Sequence, residues 1–163
     1  MPRLGFVAVT ALAALLGAGQ IAHTGVGMDS PTPKVALIED ATLRDVAVAV
    51  YDSVRPVVYI NPRLMQRFSP DLQAFFMAHE NAHIELKHTR SGALRTDVGT
   101  RDQLLQLKEL EADCLAAMRL GPKGRNATMA AVRFFGRLGT TQFDTEHPTG
   151  TVRARKILDC VAE

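Results

Sequence analysis

The 163-residue chain lacks the features that would point to a nucleic-acid partner or to several common enzyme classes. Its formal net charge is only +2 at pH 7, without a basic run and without aromatic residues interleaved with basic ones. Nucleic-acid-binding proteins usually carry a strong basic patch, so we expect no nucleic acid as a partner. The sequence also has no G-x-S-x-G motif, no Ser/His/Asp arrangement and no glycine-rich loop that would hold a phosphate. Its chemistry must therefore come from another pattern.

The N-terminal residues contain a long apolar run. After a short basic start, residues 6–16 are almost continuously apolar. This pattern predicts either a signal peptide over residues 1–23 or an uncleaved membrane anchor, in which residues 4–22 would associate with the membrane. A linker rich in Gly, Pro, Ser and Thr follows over 24–34, so one folded domain of ordinary size is expected over 35–163.

Residues 79–83 read H-E-x-x-H. A serine-proline-aspartate start predicts a helix over about 70–90. Positions four apart share a helix face, so His79 and His83 can present two imidazole nitrogens to one Zn²⁺. Glu80 then lies beside the metal as a base for its bound water. The alternatives are a pair of core histidines that bond to backbone groups and a solvated helix that matches the pattern by chance.

A third donor is expected on a second helix over 100–120. Glu109 and Asp113 fall on the otherwise apolar stripe of this helix. Burying two carboxylates is costly unless each finds a cation or hydrogen-bond donors. We therefore predict that Glu109 ligates the metal and that Asp113, one turn further on, accepts the second ring N–H of a ligand histidine. The alternative is that Glu109 and Glu111 belong to a solvated acidic face.

Three blocks occur in a fixed order along the chain. The first is H-E-x-x-H with His88 five residues after its second histidine. The second is E-x-x-A-D over 109–113, and the third is H-P-x-x-x-x-R from His147 to Arg153. Over about 57–157, the sequence resembles the HtpX-like and CAAX-prenyl-protease family of zinc metallopeptidases, which belongs to the group with a glutamate as third metal ligand.

The resemblance implies zinc-dependent hydrolysis of peptide bonds, with one Zn²⁺ per chain and with Glu109, not Glu111, as the third ligand. It also implies that His147 steadies the reaction's oxyanion or caps the metal in a latent state; a turn histidine is the alternative. Arg153 would support the substrate or the oxyanion, or is a surface arginine. His88 does not fit the metzincin spacing, in which the third histidine lies six residues after the second, and we interpret it as structural.

Only two cysteines are present, Cys114 and Cys160. Cys114 lies well round its helix from Glu109 and is a poor metal ligand, and Cys160 lies in the predicted last helix. In an oxidising compartment the pair would form a disulfide between these helices; two buried thiols are the alternative. The leader predicts an exported protein in the periplasm or another extracytoplasmic space, either free or tethered to the membrane.

The predicted fold class is mainly α with some β structure (α+β). We expect a zincin-like metallopeptidase domain with two metal-binding helices and a small sheet or hairpin at the cleft. Strands are expected at 46–51 and 57–60, although residues 43–52 could instead be helical. Further helices are expected at 127–138 and 148–161.

An exposed strand beside the cleft could pair with an extended chain. We therefore expect the substrate to be an extended or unfolded segment of an exported or envelope protein, cleaved in protein quality control. A catalytically silent zinc-binding chaperone or adaptor in the same compartment is the rival function. The sequence does not indicate an oligomeric state.

Overall fold

The computed structural model describes residues 34–51, 55–88, 100–142 and 144–162. The predicted leader and all but the last residue of the predicted linker lie outside these ranges. No helix in the described ranges is long and apolar enough to cross a membrane. The elements in chain order are strands β1 (Ala36–Glu39), β2 (Ala47–Tyr51) and β3 (Pro56–Ile60), then helices α1 (Pro62–Met65), α2 (Pro70–Glu85), α3 (Arg101–Leu120), a 3₁₀ turn (Pro122–Gly124), α4 (Arg125–Leu138) and α5 (Gly150–Val161).

The three strands form one mixed sheet in the order β1-β3-β2. β1 runs parallel to β3 and β2 runs antiparallel to it, and Val58 of β3 pairs with Leu37 and Ala49 on its two sides. Val57 and Val58 are both buried, so the central strand is covered on both faces. The sequence prediction contains no β1, because these four residues do not alternate between apolar and polar types. In the structure, Leu37 on this strand is 60% exposed. Residues 47–51 are a strand, so the alternative of a helix over 43–52 is wrong.

The two long central helices begin at side-chain caps. At the start of α2, the Ser69 hydroxyl accepts a hydrogen bond from the Leu72 N–H at 3.3 Å. At the start of α3, Thr100 and Gln103 form a reciprocal capping box. α2 ends at Glu85, earlier than the predicted 90, because the chain turns into the left-handed region at Lys87, with φ of 61°.

The core lies where α2, α3, α4 and α5 pack together. Buried alanines on α2 and α3 let these helices approach closely. Gly150 opens α5 beside the Phe135 carbonyl oxygen, where a side chain would collide. A disulfide between Cys114 and Cys160 joins α3 to α5. The predicted fold class, mainly helical with a small sheet in a zincin-like arrangement, is confirmed.

Candidate metal centre

Three side chains from α2 and α3 bring their donor atoms to one point. The Nε2 atoms of His79 and His83 lie 3.0 Å apart. Glu109 divides its carboxylate between them, with Oε2 at 3.2 Å from His79 Nε2 and Oε1 at 3.1 Å from His83 Nε2. The i, i+4 spacing on α2 places both rings on the face that α3 covers. The structure thus brings together the three residues predicted as ligands.

These three residues fit a zinc ion by the chemistry of their donor atoms. Two imidazole nitrogens and one carboxylate are the protein ligands of several catalytic zinc sites, which leave a fourth position open. The donor atoms lie within 4.8 Å of one another, and no other group of three His, Cys, Asp or Glu side chains in the described ranges does so. The chain can therefore hold a metal ion at this point.

Neighbouring ionisable groups shift the pKa values of two of the three donor residues. Burial alone would lower the pKa of His79, but the Asp113 and Glu109 carboxylates raise it to about 9. Burial alone would raise the pKa of Glu109, but His79 and His83 hold it far below its usual range. Hydrogen bonds from neighbouring side chains, together with their opposite charges, therefore outweigh desolvation at both residues.

Asp113 stands behind His79. Its Oδ1 forms an ion-pair contact of 3.0 Å with His79 Nδ1, a buried nitrogen that makes no hydrogen bond of good geometry with any described residue. Arg153 holds this carboxylate from the other side, donating from Nε to Oδ2 and from Nη2 to Oδ1, both at 2.7 Å. Burial raises the pKa of Asp113, but the Arg153 guanidinium outweighs it and keeps that pKa below its ordinary value.

Arg153 is not the surface arginine that the sequence left open. Its side chain is largely buried, and its guanidinium carbon lies 4.1 Å above the centre of the Phe135 ring. Nη2 is 3.7 Å from Glu109 Oε2, so the arginine also faces the third ligand. Arg153 therefore binds Asp113 directly and lies at a longer distance from the ligand Glu109.

His88 and Glu111 stand behind His83, an arrangement that the sequence did not predict. His83 Nδ1 and His88 Nδ1 are 3.1 Å apart, and His88 Nε2 is 3.1 Å from Glu111 Oε2. Burial and the neighbouring His83 lower the pKa of His88. Glu111 is therefore not simply part of a solvated face, and the five-residue interval between the histidines was the signal that could have found this contact.

Glu80 and His147 face the same cleft as the ligands. Glu80 follows His79 on α2 and is largely buried. His147 lies in the segment before α5, with Nε2 at 3.7 Å from Glu109 Oε2. Its Nδ1 lies 2.9 Å from both carboxylate oxygens of Asp144, a residue that sequence reasoning missed. Since a carboxylate only accepts, Asp144 assigns the proton to Nδ1 in the neutral ring.

The cleft has a volume of about 510 Å³ and is lined by three different groups of residues. Residues 45–49 of β2 and its approach line one side. Phe68, Phe76 and Phe134, which contact one another edge to face, line an apolar part. The remaining wall carries the metal ligands and their neighbours, so an extended chain in this cleft would pass the metal centre.

Comparison with known proteins gives one family. The family model described as the IrrE N-terminal-like domain, Peptidase_M78, matches residues 34–130. No curated protein and no solved structure matches the chain. The matched stretch includes His79, Glu80, His83, Glu109 and Asp113. The matched family differs from the one that the sequence motifs resemble, and the zinc metallopeptidase-like character is what the comparison supports.

Proposed function

The chain belongs to the IrrE N-terminal-like domain family, a zinc metallopeptidase-like family, and from this premise we propose that it is a zinc-dependent endopeptidase. One observation carries the proposal: His79, His83 and Glu109 converge at 3.0–3.2 Å in a cleft that also contains Glu80. A structural zinc site would normally have four protein ligands and would need no such carboxylate.

The residues divide the work of peptide hydrolysis as follows. A Zn²⁺ ion held by these three ligands would supply a Lewis acid beside the cleft. Glu80 takes a proton from the attacking water and returns it to the departing amine. His147, with its Nδ1 proton held by Asp144, can accept or donate at Nε2, and in its protonated form donates to the developing oxyanion.

We propose that the substrate binds as an extended chain along β2. This strand lines the cleft and, among the described strands, pairs only with β3. A sheet edge offers main-chain hydrogen bonds that do not depend on the substrate sequence. An extended or unfolded segment of an exported or envelope protein fits this mode, with protein quality control as the role.

The cellular setting is also a proposal. The apolar N-terminal run supports export to the periplasm or another extracytoplasmic space, with residues 1–23 as a signal peptide or membrane anchor and the catalytic domain from residue 35. The disulfide between Cys114 and Cys160 supports an oxidising compartment. We further propose that the chain shares the likeness to HtpX-like peptidases over about 57–157. That stretch includes His147 and Arg153, which lie outside residues 34–130 matched by the IrrE N-terminal-like family model.

A silent zinc-binding adaptor is the second candidate, and one distance favours it. His147 Nε2 is close enough to Glu109 Oε2, at 3.7 Å, to act as a fourth ligand to a metal at this site. Four permanent protein ligands would leave no position for water. The same contact would make the protein a latent peptidase if His147 can withdraw.

Cleavage of casein or another denatured protein by the purified, zinc-loaded chain tests these alternatives. We expect wild type to cleave and Glu80→Gln to retain zinc while losing activity by about 10²–10⁴-fold. A wild type that binds zinc but cleaves nothing would favour the adaptor. A His147→Ala variant more active than wild type would identify His147 as a latency residue.

A further inference from the structure

We propose that His88 and Glu111 are positioning residues for the metal ligand His83, because they select the ring tautomer that turns a lone pair toward the metal. The inference rests on the zinc site of the proposed function. Its geometric basis is a continuous line of contacts, His83 Nδ1 to His88 Nδ1 and His88 Nε2 to Glu111 Oε2, each 3.1 Å long. Neither outer residue touches the point where the three ligands converge.

Glu111, at the outer end of this line of contacts, determines where the protons of His88 and His83 lie. The Glu111 carboxylate can only accept, so the proton of a neutral His88 must be on Nε2. Nδ1 of His88 then carries a lone pair and accepts the Nδ1–H of His83. The Nε2 atom of His83 is left without a proton, and it is this atom that faces Glu109 Oε1 and His79 Nε2. A neutral imidazole binds zinc through an unprotonated nitrogen.

The end of α2 places His88 under His83. The His88 N–H donates to the His83 carbonyl oxygen at 2.9 Å, and the Lys87 N–H donates to the Ile84 carbonyl oxygen at 3.1 Å. These two bonds, with Lys87 in the left-handed region, form a Schellman motif. In this motif the sixth residue lies over the first, so the backbone itself holds the His88 ring against the His83 ring, with centroids 5.2 Å apart.

Glu111 can be compared with another glutamate at the same helix interface. Glu85 on α2 pairs with Arg119 on α3, and its side chain is 47% exposed, against 44% for Glu111. Both carboxylates therefore join α2 to α3 from the protein surface. Glu85 contacts no residue of the metal centre in any described interaction, whereas Glu111 contacts His88. Replacing each glutamate in turn therefore distinguishes a change in zinc affinity that comes through His88 from one that comes through the packing of α2 on α3.

The principal test compares two variants of His88, His88→Asn and His88→Leu, whose new side chains are similar to each other in size and shape. In His88→Asn the amide oxygen can replace Nδ1 as the acceptor for His83, whereas His88→Leu has no acceptor. We expect His88→Leu to weaken zinc binding by about 10–100-fold and His88→Asn to stay within about threefold of wild type. The measurement is the dissociation constant of zinc for the full chain, obtained by competition with a chromophoric chelator.

The glutamate pair supplies the second comparison. Glu111→Ala should weaken zinc binding by about tenfold, because the tautomer of His88 is then no longer fixed. Glu85→Ala should leave the zinc dissociation constant unchanged. Both positions are on the surface, so these variants test the proposal even if His88→Leu fails to fold. Equal losses of zinc affinity in the two glutamate variants would overturn it in favour of helix packing.

Nuclear magnetic resonance of the zinc-loaded chain with ¹⁵N-labelled histidine tests the proton positions directly. We expect a protonated Nδ1 on His83 in wild type and in His88→Asn. A proton on Nε2 of His83, or equal zinc affinity of His88→Leu and wild type, would overturn the positioning role and leave the peptidase proposal standing. A wild type that binds zinc as expected but cleaves no protein would instead overturn the peptidase proposal alone.

Discussion

His79 and His83 lie on the same face of α2, yet the side chains behind them differ in burial and in charge. His79 is backed by Asp113, which is fully buried and held by two 2.7 Å bonds from Arg153. His83 is backed by His88 and then by Glu111, whose carboxylate reaches the surface. Breaking a buried ion pair is costly because it leaves an unpaired charge, whereas an exposed carboxylate can turn to water. One histidine is thus fixed by the core and the other by the surface.

Their covalent surroundings differ as well. Asp113 precedes Cys114 on α3, and Arg153 lies on α5, so the disulfide joins the two helices that carry the buried pair. His88 lies just beyond the end of α2, where backbone hydrogen bonds to Ile84 and His83 hold the chain. We therefore expect the support of His79 to contribute mainly to stability and the support of His83 to contribute mainly to metal affinity.

Replacing Asp113 should have the largest effect on stability. Asp113→Ala leaves the Arg153 guanidinium buried without its partner and should lower the free energy of unfolding by about 3–5 kcal/mol. Urea unfolding in the presence of a chelator measures this without a contribution from zinc.

Two further variants check the cause. Adding Arg153→Met to Asp113→Ala removes the unpaired charge and should restore part of the lost stability. Asp144→Ala removes a carboxylate that contacts His147 at the surface, and it should cost less than about 1 kcal/mol. Equal losses in Asp113→Ala and Asp144→Ala would contradict the distinction between core and surface.

Reduction of the disulfide should have the next largest effect. The bond between Cys114 and Cys160 closes a loop with a sequence separation of 46. Opening that loop should lower the free energy of unfolding by about 2–4 kcal/mol, chiefly because the unfolded chain gains conformational freedom. The measurement is urea unfolding with and without a reductant.

A double Cys114→Ser and Cys160→Ser variant is the control for reduction. It should match reduced wild type and should not respond to the reductant. If reduction leaves the unfolding transition of wild type unchanged, the covalent link does not contribute to the rigidity behind His79, and the contrast between the two supports reduces to burial alone.

The smallest predicted effect is at Lys87, on the His83 side. Its φ of 61° is unfavourable for a residue with a Cβ, so Lys87→Gly should raise the free energy of unfolding by about 0.5–1 kcal/mol. Lys87→Ala removes the same long side chain but keeps the Cβ, so it should show no such gain. Thermal unfolding of the two variants makes the comparison. Equal stabilities for Gly and Ala would show that this end of α2 carries no backbone strain.

Helical periodicity alone was enough to place the residues that share a helix face. His79 and His83 are four apart, as are Glu109 and Asp113, and the structure brings the first three together with Asp113 behind them. The same reasoning gave the mainly helical fold with a small sheet, which is confirmed.

The missed features depend on how elements end or meet. A helix end is usually marked by glycine, and Lys87 takes the left-handed position without one, so the prediction carried α2 past its true end at Glu85. The contact of His88 with Glu111 was not predicted, because a helix that continued past His88 would place that residue elsewhere. Asp144 reaches His147 through a turn, and β1 pairs directly with β3 although β2 lies between them in the sequence. Neither contact has a periodic signal.

The left-handed conformation of Lys87 requires an interval of five residues between His83 and His88 for their rings to meet. Inserting or deleting a single residue there would move the second ring to another side of the chain, and no small adjustment of side chains would restore the contact. Single-residue insertions in this stretch should therefore be far less tolerated than substitutions. In other sequences, a histidine five positions after an H-E-x-x-H motif is a cue to look for a helix that ends directly beneath its own metal ligand.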